Sequence, residues 1–313
     1  MVALQPLARC PIMLPPADIH QEASAAAAAL GVLYADPFAM PSAALASTGL
    51  LHTGNAGGLV DALAAALAVD EVCVQTAADT LTSTQRHALL TWLLHPGAMQ
   101  RTPRRSATLT RLPLFQTAGE AENPAFVRID AGHWYAAPLD VPCTALPEDC
   151  FVMAPSASSR PQLVQLGAAD ATLTSAYAAF VLPRLASMSD ATVQAAMLQL
   201  LRKLPDVAVQ DRGIVEALRT MEFVDTVDGR RAPSVLYDPR VPQLQALLSG
   251  SAHFPAPPYD SEGVLATLSM LGMQRVVRPD TLLQAAAHVE ALAGEDAQAA
   301  RVQGHRLMQY LEV

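Results

Sequence analysis

The stretch LRTMEFVDTVDG at residues 218–229 decides the fold, because it joins the end of a helical pattern to a hairpin signal. Its centre, EFVDTV (222–227), is a short extended segment, and the Asp228-Gly229 dipeptide that follows is typical of tight β-hairpin turns. Similar extended segments occur earlier in the chain. We therefore predict further strands at 112–117, 125–130 and 133–136, with turns at Gly119-Glu120 and Gly132.

Helical patterning dominates the rest of the sequence. In GLVDALAAALAV (58–69), leucines recur at intervals of three and four residues, as an amphipathic helix requires. The same period predicts helices over 84–94, 173–185, 190–203, 211–220, 240–248, 261–271 and 280–292. The predicted N-caps are Thr82 or Ser83, Ser189, Asp211, and Asp238 with Pro239 after it. The predicted fold class is therefore α+β and rich in helix.

The chain also resembles itself. LTRLPLFQTAGE, which begins at Leu109, repeats the order of features that begins at Leu218, and residues 80–94 parallel residues 187–201. Leu-Gly pairs follow helical segments at 30–31, 166–167 and 271–272, and Gly167 and Gly272 are expected to end helices in a left-handed conformation. Leu-rich helices would resemble one another by composition alone, but here three kinds of feature recur in the same order.

These parallels predict tandem units of helix, short β-hairpin and helix, arranged in an elongated array because each unit buries its faces against its neighbours. The predicted organisation is an Ala-rich helical lead-in segment at 1–79, a first unit at 80–183, a second unit at 187–290 and a C-terminal helix at 291–313.

The composition limits the classes of partner. Hydrophobic residues make up 51% of the chain, charged residues 16%, and the formal net charge is −9. Nucleic acids and anionic membrane surfaces need a concentrated basic face, so neither is an expected partner. The one basic cluster, RTPRRSATLTR (101–111), contains a proline and is predicted to be a solvated loop.

The cysteines and the N-terminal sequence point to a soluble, cytoplasmic protein. Cys10, Cys73, Cys143 and Cys150 are widely spaced and include no CxxC motif, so we expect reduced, buried thiols. Prolines interrupt the first twenty residues in a way that a signal peptide would not tolerate. The Ala run at 25–29 is too short to span a bilayer.

The best candidate for a phosphate-binding loop is GNAGG (54–58), just before the helix that starts at Leu59. Backbone N–H groups at a helix N-terminus attract anions, but the loop lacks the residues of the P-loop and dinucleotide motifs. We expect a flexible start of a helix here. A cryptic nucleotide-binding or hydrolytic domain that uses Gly54–Gly58 is the alternative function.

Other chemically active residue types lack the spacing of a site. The HWY stretch (133–135) is either a binding patch or, as we expect, an amphipathic strand with core aromatics. Asp140, Glu148 and Asp149 are expected to be solvated, and the eight histidines include no H-x-x-x-H pair. We therefore assign no catalytic, cofactor-binding or metal-binding residues, expect no cofactor, and do not expect an enzyme.

The second unit is similar to sacsin. Its residues match a family pattern of ordered features: Leu218, Met221 and Phe223, Gly229, LYDP (236–239), Leu244, Phe254-Pro255, and the helix end from Leu268 to Met273. The first unit matches at LPLF (112–115) and LVQLG (163–167) but lacks the LYDP element. Together the matches cover about two thirds of the chain.

The resemblance implies the part of a sacsin repeat that lies outside its Hsp90-like ATPase fold, because the ATPase motifs E-x-x-x-N and D-x-G-x-G are missing. It implies a role in protein quality control, as a scaffold of a chaperone or co-chaperone. The implied partners are client proteins, the Hsp70 system and neighbouring repeat segments. Self-association is also expected, because neither end of the chain carries an obviously polar capping repeat.

Overall fold

The computed structural model describes residues 11–35, 51–98, 102–119, 124–248 and 253–311. The chain forms two compact units, Met1–Ala176 and Tyr177–Val313. This division differs from the predicted boundaries after residues 79 and 183. Residues of the predicted lead-in, from Met13 to Ala78, share one hydrophobic core with Leu112 and Leu163. Both units combine helices with short strands, which confirms the α+β, helix-rich class.

The first unit packs helices around small sheets. Its helices are α1 (Gln21–Ala29), α2 (Ala56–Val69), α3 (Glu71–Thr80), α4 (Ser83–Leu93), α5 (Pro103–Thr110), α6 (Arg160–Gln165) and α7 (Leu173–Ala176). Its strands are β1 (Ile12–Met13), β2 (Leu33–Tyr34), β3 (Leu51–His52), β4 (Phe115–Gln116), β5 (Phe126–Val127), β6 (Tyr135–Ala136), β7 (Phe151–Val152) and β8 (Ala169–Asp170). Helix α1 packs against α4, and α2 packs against α5.

The second unit contains the longest helix. Its helices are α8 (Asp190–Gln210), α9 (Arg212–Thr220), α10 (Pro242–Leu247), α11 (Glu262–Met270), α12 (Pro279–Glu295) and α13 (Ala297–Leu311). Its strands are β9 (Val224–Thr226) and β10 (Gly229–Arg231). Helix α8 packs against α9 and α11, whereas α13 packs against α10 and α12.

Three of the predicted N-caps are present. Thr82 forms a reciprocal capping box with Gln85 at the start of α4. Ser189 and Asp211 accept backbone hydrogen bonds at the starts of α8 and α9. These side chains accept hydrogen bonds from N–H groups of the first helical turn that have no backbone partner. Short polar residues therefore mark helix starts.

Asp238 does not cap a helix, and that prediction is wrong. Helix α10 begins at Pro242, and its N-cap position, Val241, makes no side-chain capping bond. The predicted helix at 173–185 is also interrupted: α7 ends at Ala176, a π-helical turn covers Tyr177–Val181, and a 3-10 segment covers Leu182–Ser187.

Residues 103–110 of the basic cluster form helix α5, so the prediction of a loop is wrong there. Arg101 lies outside the described residues. Thr102 caps α5 and Pro103 occupies its first turn, where a missing N–H costs nothing. Arg105 and Arg111 pair with Asp61 and Glu71, respectively. A proline was therefore compatible with a helix because of its position.

Both predicted hairpins form antiparallel pairs directly after a helix. In the first unit Phe115 pairs with Val127, and in the second unit Val224 pairs with Arg231. The second hairpin turns through residues 227–228, so Gly229 is the first residue of β10 and not part of the loop. Of the predicted Gly119-Glu120 turn, Glu120 lies outside the described residues.

A second shared feature is a central tyrosine whose backbone contacts two segments that come later in the chain. In the first unit Tyr135 on β6 lies between β7 and β8, and its N–H donates to the carbonyl of Cys150 at 2.8 Å. In the second unit Tyr237 takes the same place: its N–H donates to the carbonyl of His253 at 2.9 Å, and it forms a parallel bridge with Gln274. Strands β2, β1 and β3 form another parallel set, in which the central strand again comes first along the chain.

The three Leu-Gly pairs have the same geometry. Gly31, Gly167 and Gly272 all have positive φ, at 89°, 109° and 99°. The residue after each glycine donates its N–H to a carbonyl five residues earlier, for example Ala168 to Leu163 at 3.2 Å and Met273 to Leu268 at 3.1 Å. This is the Schellman helix end, and it confirms the left-handed conformation expected of Gly167 and Gly272.

None of the helices within the described ranges combines the length and the apolar character needed to cross a bilayer.

Candidate functional site

The Gly54–Gly58 loop lies at the start of α2. Asn55 is the N-cap, and its Oδ1 accepts a hydrogen bond from the N–H of Gly58 at 2.9 Å. A Cβ atom at Gly58 would lie 1.9 Å from the carbonyl oxygen of Thr53, and one at Gly57 would lie 2.8 Å from Nη1 of Arg105. The predicted helix start is therefore present, but close packing is the reason for its glycines.

The charged groups beside this loop are already engaged with one another. Arg105 donates from Nε and Nη2 to the two carboxylate oxygens of Asp61, at 3.0 and 2.6 Å. The hydrogen bond from Arg105 lowers the pKa of Asp61. Burial lowers the pKa of His52, which keeps this imidazole neutral at pH 7. A bidentate ion pair thus occupies the position beside Gly57.

The aromatic stretch 133–135 belongs to the core of the first unit, apart from its first residue. His133 is exposed, whereas Trp134 packs against the core and donates from Nε1 to the carbonyl of Arg128 at 3.1 Å. Tyr135 stacks on Phe151 with ring centroids 5.5 Å apart. This arrangement supports the prediction of a strand with core aromatics.

The carboxylates weighed from the sequence are exposed, as expected: Asp140, Glu148 and Asp149. The cysteines differ from expectation. Cys73 is exposed, and Cys143 and Cys150 are half-buried, all three as free thiols. The prediction of buried thiols is wrong for these three, and Cys10 lies outside the described residues. Within the described ranges, no three His, Cys, Asp or Glu side chains are grouped so that they could hold a metal ion.

The second unit contains a fully buried carboxylate, Asp238, directly after the central Tyr237. Its Oδ1 accepts hydrogen bonds from the backbone N–H and Nε of Arg240, at 3.0 and 2.9 Å, and its Oδ2 accepts one from Nη2 at 2.8 Å. Arg275 lies 3.7 Å from the same Oδ2. The hydrogen bonds from Arg240 hold the pKa of Asp238 below its usual range.

Asp238→Asn is expected to lower the free energy of unfolding by about 2 kcal/mol at pH 7, because an amide cannot accept both guanidinium hydrogen bonds. A depressed pKa stabilises the fold above the ordinary carboxyl pKa, and this contribution is lost as the pH falls through the lower folded value. The difference between wild type and variant should therefore be constant near pH 7 and should shrink in acid. Urea titrations at several pH values measure it. Asp190→Asn removes an exposed partner of Arg230 and is the control, with little expected effect. A gap that widened in acid would contradict this role of Asp238.

An open cleft lies beside Tyr237, entirely within the second unit. Its volume is about 650 Å³, and its wall combines charged, hydroxyl and apolar side chains. The residues that line it include Glu222, Arg231, Leu236, His253, Arg278 and Asp280. A volume of this size is typical of small-molecule sites.

No motif or spacing in the sequence predicts this cleft. Its charged residues come from the start of the hairpin, from the end of β10, from the segment before Phe254 and from the start of α12. They are brought together only because Tyr237 pairs with both His253 and Gln274. The spacing of these residues along the chain does not predict that they lie close together.

Comparison of the chain with protein-family models, with curated proteins and with solved structures found no match.

Proposed function

We propose that the chain is a non-catalytic segment of a sacsin-like chaperone or co-chaperone. It acts as a scaffold and as a surface that binds protein partners in cytoplasmic protein quality control. The partners are clients, the chaperone system or neighbouring repeat segments. The observation that carries the proposal is the element shared by the two units, since this element contains the residues that resemble sacsin.

The shared element consists of buried core positions in a fixed order. Leu109 and Leu218 are fully buried at the ends of their helices, and Leu114 and Phe223 are buried just before the hairpin strands. Met221 is only half-buried, in contrast to Leu112 at the matching position. A Leu-Gly helix end is then followed by a parallel pairing with a central tyrosine, to strand β8 in the first unit and through the bridge to Gln274 in the second. Elements that recur with their packing are typical of repeat proteins, which serve as scaffolds.

Exposed apolar side chains on the last two helices support a protein-binding role. Leu283 on α12 is 70% exposed, and Met308 and Leu311 on α13 are 56% and 55% exposed. We call these three residues the C-terminal apolar set. Large apolar side chains of this kind lose contact with water when another protein covers them, and each contributes free energy to association.

Self-association tests this role. We expect the sedimentation coefficient of the wild-type chain to rise with protein concentration, because the C-terminal apolar set is covered in the associated form. The triple variant Leu283→Glu, Met308→Glu and Leu311→Glu should remain a monomer. The control is Val209→Glu, which changes another strongly exposed apolar residue on α8. A wild-type chain that stays monomeric, or equal association of the triple variant, would contradict the role of this set.

A further inference from the structure

The cleft beside Tyr237 holds cations that are not paired with its own acids. The side chain of Arg231 makes no hydrogen bond or ion pair with any residue that the structure describes. Arg278 donates from Nη2 to the carbonyl of Ser234 at 2.6 Å, which fixes its direction but leaves its charge without a carboxylate partner in the described chain. Glu222 and Asp280 line the same cleft, yet neither lies within ion-pair distance of these guanidinium groups.

His253 lines the cleft near the charge of Arg231. Its ring packs edge-on against Tyr237 at a centroid distance of 5.9 Å and hydrogen-bonds to no described residue. Burial lowers the pKa of His253, and the charge of Arg231 lowers it further. The imidazole is therefore neutral at pH 7 and has one N–H available as a donor. A guanidinium close to a neutral imidazole favours a negatively charged group between them.

Part of the cleft lining is apolar, which favours a ligand that also has an apolar part. Val235 contributes apolar surface beside the charged residues, whereas Ala232 and Leu236 line the cleft but are buried. Val235 is 43% exposed, so the described side chains around it leave much of its apolar surface uncovered. A bare inorganic anion would leave this surface in contact with water. A molecule with an apolar body and an anionic end would cover it.

We propose that this cleft binds a small organic molecule that carries a carboxylate or phosphate oxyanion, which is held between Arg231, Arg278 and the His253 imidazole, with its apolar body against Val235. Both oxyanions accept paired hydrogen bonds from a guanidinium group, so they share this chemistry. The site is independent of the protein-binding role proposed above, because it uses none of the C-terminal apolar set.

The test is isothermal titration of the full chain with three probes of similar size: benzoate, phenyl phosphate and the neutral benzamide. Benzoate or phenyl phosphate should bind, and which of them binds more tightly identifies the preferred oxyanion. Benzamide should bind at least about tenfold more weakly than the better anion, because it offers no charge to the guanidinium groups. Inorganic phosphate should also bind more weakly, since it lacks the apolar body.

Two variants with opposite expected effects locate the binding. Arg231→Ala should weaken the better anion by about tenfold or more, because it removes a charged donor. Glu222→Gln should strengthen it, because it removes a negative charge from the wall. Arg301→Ala, an exposed cation on α13 away from the cleft, is the control and should have no effect. If neither anion binds, if benzamide binds equally well, or if Arg231→Ala leaves the affinity unchanged, the proposal is wrong.

Discussion

Phe223→Ala is expected to lower the free energy of unfolding of the Tyr177–Val313 unit by about 3–5 kcal/mol. Phe223 is fully buried just before β9, and its ring lies against Tyr259 at a centroid distance of 6.3 Å. Tyr259 is fully buried too, so the surrounding side chains have little freedom to fill the space that the ring would leave. The cost therefore combines lost burial with a cavity.

Hydrogen exchange, read by mass spectrometry across the second unit, measures this change. Met221→Ala is the matched control from the same segment. Met221 is half-buried, so its truncation should cost clearly less than that of Phe223. In the first unit the corresponding pair should behave differently, since Leu112 and Leu114 are both buried and both truncations should be costly. Equal effects of Met221→Ala and Phe223→Ala would show that the hairpin does not anchor the second core.

Gly58→Ala is expected to destabilise the Met1–Ala176 unit by about 3 kcal/mol, at the upper end of what overpacking usually costs. The added Cβ atom would lie 1.9 Å from the carbonyl oxygen of Thr53 and 2.6 Å from its Oγ1. A backbone atom cannot rotate away as a side chain can, so the start of α2 must move. Leu59 and Val60, which follow directly and are fully buried, would move with it.

Tryptophan fluorescence during urea denaturation follows this change. Both tryptophans, Trp92 and Trp134, lie in the first unit, so the signal reports the unit that the substitution alters. The control is Gly263→Ala, at a helical glycine with nothing within 4 Å of the added Cβ. That substitution lies in the second unit, which contains no tryptophan, so the fluorescence transition should stay at its wild-type position. Unchanged stability of Gly58→Ala would show that the loop is loose, as the sequence suggested.

The sequence was informative wherever a local signal determines local structure. Thr82, Ser189 and Asp211 were predicted as caps because a short polar side chain satisfies N–H groups within its own turn. Gly167 and Gly272 were predicted as helix ends because only glycine adopts positive φ without cost. Such signals lie within a few residues of the structure that they determine.

Helices without an apolar stripe were missed. EVCVQTAADT (71–80) shows no clear period, yet it forms α3, whose N-cap Asp70 accepts a hydrogen bond from Cys73 and whose Glu71 pairs with Arg111. Helix α8 was predicted to end at residue 203, but it continues through Pro205 to Gln210. Leu204 and Val207 are buried, and their packing compensates for the hydrogen bond that proline cannot make.

Contacts between distant residues could not be predicted. The parallel strands are two residues long, and Tyr135 finds its partners at Phe151 and Ala169. Asp238 was wrongly predicted as an N-cap, because its role depends on Arg240 and on Arg275, which approaches from beyond α11. The cleft beside Tyr237 depends on the same long-range pairing, so neither its position nor its charge could be read from spacing.

The most direct test of the proposed function is the light scattering of a heat-denatured client protein in the presence of the chain. We expect the wild-type chain to suppress aggregation to the same degree with and without Mg-ATP, because the proposed role is binding and not catalysis. The triple variant of the C-terminal apolar set should suppress it much less, whereas Val209→Glu should act like the wild type. Aggregation that proceeds unchanged, or suppression that requires Mg-ATP, would contradict a non-catalytic, client-binding segment.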